Sequence, residues 1–151
     1  MSVRPYAESD FAAVAAIYGQ ARRDELAFEA EPVAVRPLAD DATLLAAFRE
    51  STVLVFDDGA VRGFAATHGG QLRALFVDGE ARGRGVGAAL LGAVRCAQAG
   101  PVTLYVATSN GPARAFYAAH GGVDTGELTR PYAGRDIAYT AVQLPLCAAS
   151  I

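Results

Sequence analysis

Thiols, imidazoles and net charge are all scarce in this chain of 151 residues. Its two cysteines, Cys96 and Cys147, lack the C-x-x-C spacing of a zinc or redox site and suggest no disulfide framework, so both read as buried or incidental thiols. With His68 and His120 as the whole histidine complement, a histidine-based metal site is not expected, and no metal is assigned. Thirteen basic against sixteen acidic residues leave a net charge of −3, too small to draw the chain to nucleic acid or to an anionic membrane. No apolar run approaches the ~18 residues of a membrane span, and Arg4, Glu8, Ser9 and Asp10 interrupt any signal-like segment at the N-terminus. The expected setting is cytoplasmic. Repeats, low-complexity tracts and linkers are missing as well. A hydrophobic content of 52% over this length is enough to bury a core, so residues 1–151 are expected to form one domain.

What is present is concentrated between Ala74 and Leu90. An apolar strand, Leu75-Phe76-Val77, runs through a connection at residues 78–82 into Gly83-Arg84-Gly85-Val86-Gly87 and then a helix rich in Ala and Leu. Glycines at a helix start let several backbone N–H groups close around one anion. The helix end adds roughly half a positive charge, and Arg82 and Arg84 add full ones. This reads as a phosphate or pyrophosphate cradle; the alternative is a Gly-rich turn with solvated arginines. Residues 83–88 formally satisfy G-x-G-x-x-A, but a Rossmann turn puts its first Gly at the strand end and an acid at the end of the next strand. Here 78–82 intervene, and the next strand ends Tyr105-Val106-Ala107-Thr108. No Lys-Ser or Lys-Thr follows the glycines, so a Walker loop fails too.

The rest of the chain reads as a strand at 3–5, a helix over 9–22 capped by Ser9 or Asp10, and a mixed acidic segment over 22–36. Phe11, Val14, Ala15, Ile17 and Tyr18 form the apolar stripe of that helix. A second helix, introduced by Pro37 and Asp40, extends to Glu50 with Leu44, Leu45 and Phe48 inward. A hairpin turns at Asp57-Asp58-Gly59. A central strand over 71–77, helix, strand at 102–106 and helix follow. Strands at 123–128 and 137–144 bracket a polar loop with Pro131 and Gly134.

Arg82-x-x-Gly85-x-Gly87 after Leu75-Phe76-Val77 resembles the acetyl-CoA signature of the GCN5-related N-acetyltransferase (GNAT) superfamily, Gln/Arg-x-x-Gly-x-Gly/Ala. A second block, Asn110-Gly111-Pro112-Ala113-Arg114-Ala115-Phe116-Tyr117-Ala118-Ala119-His120-Gly121-Gly122, resembles the family's Asn-x-x-Ala-x-x-Phe-Tyr-x-x-x-Gly-Phe. The resemblance spans Val3 to Leu146, and the run from Leu72 to Gly87 also resembles the small bacterial YjaB-like members. It implies an α+β GNAT fold, with a mixed central sheet of about six to seven strands flanked by about four helices. It also implies acetyl-CoA as cosubstrate and a small-molecule, lysine or N-terminal amine as acceptor. A family habit of strand-edge pairing makes a homodimer compatible.

Carried over residue by residue, the resemblance implies that the strand holding Leu75 and Val77 parts from the strand at 102–106 and presents backbone groups to pantetheine. Arg82, Gly83, Gly85, Val86 and Gly87 would take the pyrophosphate, and Asn110 would flank CoA, unless Asn110 is only a helix cap. Tyr117 would protonate the departing thiolate, with a pKa near 10 that keeps it an acid at neutral pH; Phe116 would pack. Tyr117 as a core aromatic, and Tyr105 as the acid, are the alternatives.

Gln71 stands where many relatives place a glutamate, and glutamine takes no proton. Deprotonating an amine of pKa ~10.4 at pH 7 costs roughly 4–5 kcal/mol, so some group must assist. His68, Glu25, Glu29 and Glu31 are the candidates, and the sequence does not choose between them. The same acids favour a cationic acceptor, although Arg22, Arg23 and Arg36 interleave with them. Two functions follow: direct acetyl transfer to a primary amine, or an acyl-CoA-binding module without turnover.

Overall fold

The computed structural model describes residues 2–145, so Cys147 lies outside the described residues. Strand β1 (Ser2–Pro5) leads through a 3-10 turn (Glu8–Asp10) into α1 (Phe11–Leu26), and a second 3-10 turn (Leu38–Asp40) precedes α2 (Ala42–Glu50). Strands β2 (Thr52–Asp57), β3 (Val61–His68) and β4 (Gln71–Val77) are followed by a short turn (Gly79–Ala81) and α3 (Val86–Ala97). Then come β5 (Val102–Ala107), α4 (Gly111–Ala119), β6 (Val123–Tyr132) and β7 (Arg135–Leu144). The strands form one seven-stranded sheet in the order β1-β2-β3-β4-β5-β7-β6. Every pairing is antiparallel except β4 with β5. The α+β mixed sheet with four α-helices is the expected architecture.

The two-residue side-chain period of the strands divides the core between the faces. On β3, Ala65 packs with Leu90, Leu91 and Val94 of α3 and with Leu104 and Val142. Its neighbours Phe64 and Ala66 face the other way, onto Val14, Ile17 and Tyr18 of α1 and Phe48 of α2. The β3–α3 approach is close because residue 63 is glycine. A Cβ there would lie 2.9 Å from the Phe76 carbonyl oxygen and 3.1 Å from both Leu90 Cδ1 and Val86 Cγ1.

Three expectations need correction. The first helix does not end at Arg22 but continues to Leu26, which is 3% exposed in a small cluster with Ala107, Ile137 and Tyr139. Burial of Leu26 and an Arg22–Glu25 ion pair one turn apart extend it, so Glu25 sits on a helix and not in a mixed loop. Asp10 gives α1 no side-chain cap either; its carboxylate accepts from Ala7 N (2.8 Å) and from both terminal nitrogens of Arg4 (2.8 and 2.9 Å). The polar loop over 129–136 is likewise absent. β6 and β7 pair as far as Tyr132↔Arg135 and turn at Ala133 (φ 50°) and Gly134 (φ 78°), and Pro131 is tolerated because β6 is an edge strand.

One irregularity positions everything that follows. β4 and β5 pair only at Gln71↔Thr103 and Leu72↔Leu104. Beyond Leu72 the two strands separate, leaving polar backbone groups along the free edge of β4.

Candidate active site

The separation of β4 from β5 opens a cleft of about 1110 Å³. Its walls include Leu75, Val77, Arg82, Gly83, Gly85, Val86, Gly87, Asn110 and Tyr117, so the residues that the resemblance assigned to the cofactor and to the acid line one cavity. Gln71 and Tyr105 line it too.

At one end lies the glycine loop. Asp78 opens the turn over Gly79–Ala81, and buried Ala81 anchors it against the core. Gly83 (φ 78°) and Gly85 (φ 81°) adopt left-handed backbone, and a Cβ on either would meet nothing within 4 Å. The loop therefore encloses open space. Gly83, Arg84 and Gly85 donate no backbone hydrogen bond among the described residues, and the first N–H groups of α3 have no partner within the helix. This geometry fits a bound pyrophosphate. Arg82 is held meanwhile by Asp24 of α1 at 2.8 Å, both about half-exposed; Arg84 has no ion-pair partner among the described residues.

In the middle of the cleft, Asn110 caps α4 through its side-chain oxygen, which accepts from Ala113 N (3.3 Å). Tyr117 is 8% exposed, and Phe116, expected to be the packing member of the pair, is the less buried of the two. Phe116 also lines the cleft, where a Cβ on Gly87 would sit 3.5 Å from its ring. The Tyr117 hydroxyl has no hydrogen-bond partner among the described residues. Burial pushes its pKa well above the usual tyrosine value, and the charge of Glu25 adds to the rise. Tyr105 is 38% exposed beneath the Arg130 guanidinium, 4.5 Å from the ring centroid.

The part of the cleft beside α1 is where the sequence left most open. Glu25 faces the cleft, ion-paired with Arg22, with about 14% and 13% of their side chains exposed. Burial raises the Glu25 pKa and Arg22 opposes the rise; the net movement is upward. Arg22 also donates to the Tyr139 hydroxyl (3.0 Å) and lies over the Tyr132 ring at 4.6 Å. Burial works against the charge on Arg22, but Glu25 and Tyr139 outweigh it, and its pKa rises.

The other acids do not join Glu25. Glu29 accepts from Ser109, while Glu31 pairs with Arg135 at 2.9 Å, outside the cleft walls. His68 is exposed at the end of β3, opposite Gln71. The acidic cluster suggested by the sequence is thus dispersed, and it gives no argument for a cationic acceptor. Sequence reasoning missed Arg22, Tyr139 and Tyr132. The usable signal was Tyr18-Arg22-Glu25, spaced four and three apart along one helix face, hidden because the helix was expected to end at Arg22.

A sequence model of the acetyltransferase (GNAT) domain family matches residues 47–121, which carry the β4–loop–α3 unit and all of α4. No curated protein matches the chain by sequence. Among solved structures, one described as "GCN5-Related N-acetyltransferase: Aminotransferase, Class-II", from Rhodopseudomonas palustris, is 25% identical with a TM-score of 0.79, covering 96% of this chain and 95% of that one. Apo YjaB from Escherichia coli is 20% identical with a TM-score of 0.70, over 94% and 95% of the two chains, a likeness of fold. A GNAT superfamily phosphinothricin acetyltransferase from Sinorhizobium meliloti, in complex with acetyl-CoA, is 21% identical with a TM-score of 0.68, over 96% and 88%. With the arginine–glycine loop, the parted strands and the α4 tyrosine on the elements that the family model spans, the chain belongs to the GNAT superfamily of acetyltransferases.

Proposed function

We propose that residues 1–151 act as one domain that transfers the acetyl group of acetyl-CoA to a primary amine by direct attack in a ternary complex. One observation carries this reading: a single continuous cleft joins the open glycine loop to Tyr117 and to a carboxylate on α1. Acetyl-CoA supplies the activated acyl group as a thioester. The chain supplies the rest. Backbone N–H groups of Gly83, Gly85, Val86 and Gly87 and the Arg82 guanidinium receive the pyrophosphate. The free edge of β4 at Leu75 and Val77 pairs with pantetheine in place of the missing β5 partner, and Asn110 holds α4 in position beside it. Tyr117, buried and protonated, donates to the departing sulfur. Neither described nor undescribed cysteine is needed, because nothing in the scheme forms a covalent enzyme intermediate.

The test is an acceptor screen: acetyl-CoA with small amines, amino acids, polyamines and lysine or N-terminal peptides, read as free thiol released. Arginine accounts for all 13 basic residues of the chain. The enzyme therefore has no lysine of its own, and any acetyl-lysine found belongs to the acceptor. Thiol release with an amine supports the reading. Tight acetyl-CoA binding without release to any acceptor supports instead a binding module, the reading that Gln71 favours by lacking a carboxylate.

A further inference from the structure

The geometry points to Glu25 as the group that accepts the proton of the incoming amine, with Arg22 as the positioning residue that holds it ionised and in place. The assignment rests on the acetyl-transfer reading and deepens it. Tyr18, Arg22 and Glu25 recur at four and three residues on α1, and all three line the cleft. Of the four candidate bases, Glu25 alone does so among the described residues; His68 is exposed on a strand end and Glu31 is paired elsewhere. Glu25 is also close enough to Tyr117 for its charge to act on that hydroxyl. Base and acid therefore line the same cleft, which opens where β4 leaves β5.

The surroundings explain why an ion pair is kept here. The charged and titratable groups around this part of the cleft are Tyr18, Arg22 and Asp24 on α1, Tyr105 on β5, Tyr117 on α4, Tyr139 on β7, and Tyr132 and Arg130 on β6. Asp24 is turned to Arg82 of the glycine loop. Burial disfavours the charged form of Glu25. Arg22 counters that, and Tyr139 and Tyr132 fix the guanidinium by a hydrogen bond and a ring face. A carboxylate with a raised but not lost acidity is suited to proton exchange near neutrality.

The cycle balances. Glu25 takes one N–H proton from the ammonium and passes it to solvent. The freed nitrogen attacks the thioester carbonyl carbon, a C–N bond forms and the C–S bond breaks. The thiolate takes the Tyr117 proton, and the second N–H proton, shed as the amide forms, restores Tyr117. One proton leaves per turnover.

The experiment compares two small nucleophiles. Ethylamine, like a lysine side chain, is almost wholly protonated at neutral pH, whereas hydroxylamine is already a free base. Glu25→Gln should lower kcat/KM for ethylamine by about 10²-fold or more, with a loss at least about tenfold smaller for hydroxylamine. Arg22→Met should move the acidic limb of kcat/KM to higher pH. Arg22→Lys, which keeps the charge and guards against a misfolded methionine variant, should move it back. Equal losses with both nucleophiles, or an unmoved limb in a folded Arg22 variant, overturn the assignment while leaving acetyl transfer intact. A wild-type enzyme that binds acetyl-CoA yet transfers to neither nucleophile, nor to any amine of the screen, overturns both.

Discussion

Replacing Tyr117 by Phe removes one oxygen and almost no volume, so its consequences can be worked out separately for stability and for rate. The side chain is 8% exposed, and its hydroxyl makes no hydrogen bond among the described residues. Deleting it strands no partner and leaves the apolar contacts with α3, β5 and β7 in place, so folding stability should change by less than about 0.5 kcal/mol. The rate should respond differently. A hydroxyl that donates only to the departing sulfur acts in the transition state and not in the ground state. Its loss should reduce kcat and kcat/KM together by about 10²-fold, or ~2.7 kcal/mol, with acetyl-CoA binding nearly unchanged. Burial and the Glu25 charge hold the phenol protonated beyond the usual tyrosine range, so wild-type activity should show no alkaline loss assignable to this group below pH ~10. Steady-state thiol release, calorimetry with acetyl-CoA and a thermal melt measure the three quantities. Wild-type turnover in the variant would transfer the acid role to Tyr105 or to solvent. Loss of acetyl-CoA binding would make Tyr117 a wall of the cleft and nothing more.

Gly85→Asp should weaken acetyl-CoA by at least about tenfold, ~1.4 kcal/mol, by placing a carboxylate and a left-handed non-glycine backbone in the mouth of the cradle; unchanged calorimetric affinity in the folded variant would remove the loop from the site. Gly63→Ala should cost about 1–3 kcal/mol, seen as a lower denaturant midpoint at constant m, because the backbone oxygen of Phe76 at 2.9 Å cannot swing aside as a side chain would. Asp10 titrates below the usual carboxylate range, chiefly through its Arg4 hydrogen bonds and then through Ala7 N–H. A depressed carboxyl stabilises the fold above its unfolded pKa of ~3.9 and loses that contribution as pH falls through the folded value. Asp10→Asn should therefore lower Tm at pH 7, with the gap to wild type closing as pH drops below about 4; a gap independent of pH would show that the carboxylate charge does not matter there.

What could be read from the sequence is what depends on neighbours in the chain. The strand–loop–helix unit over 71–97 is local: alternation marks Gln71–Val77, glycines mark the cradle, and the Ala- and Leu-rich run marks α3. The Asp57-Asp58-Gly59 turn is local in the same sense, and Gly59 takes the positive φ (111°) that the hairpin requires. Apart from the Asp10 cap, lost to nearby Arg4 and Ala7, the errors lie where a distant segment decides. α1 continues past Arg22 because Leu26 is buried against Ala107, Ile137 and Tyr139, residues that no window around position 26 contains. β6 and β7 extend because each supplies the other's hydrogen bonds, overriding the turn propensity of Pro131 and Gly134. Tyr117 is the more buried of the Phe116–Tyr117 pair because it joins the core cluster of Leu90, Leu104 and Val142, contributed by α3, β5 and β7, while Phe116 packs at its margin.

Those long-range contacts are also the ones that build the catalytic end of the cleft. Leu26, anchored by β5 and β7, fixes the last turn of α1. That turn places Glu25 in the cleft wall and leaves Arg22 between Tyr139 and Tyr132. The extended β6–β7 hairpin brings Tyr132 there, and its hydroxyl accepts from Arg36 N at 3.3 Å, tying residues 27–37 across the same end. On the proposal made above, Gln71 need not act as a base, because Glu25 enters the same cleft from a helix and not from the central strand. A sequence comparison confined to the motif columns of β4, α3 and α4 sees a missing glutamate. The folded chain places one in the cleft from α1, beside its ion-pair partner Arg22.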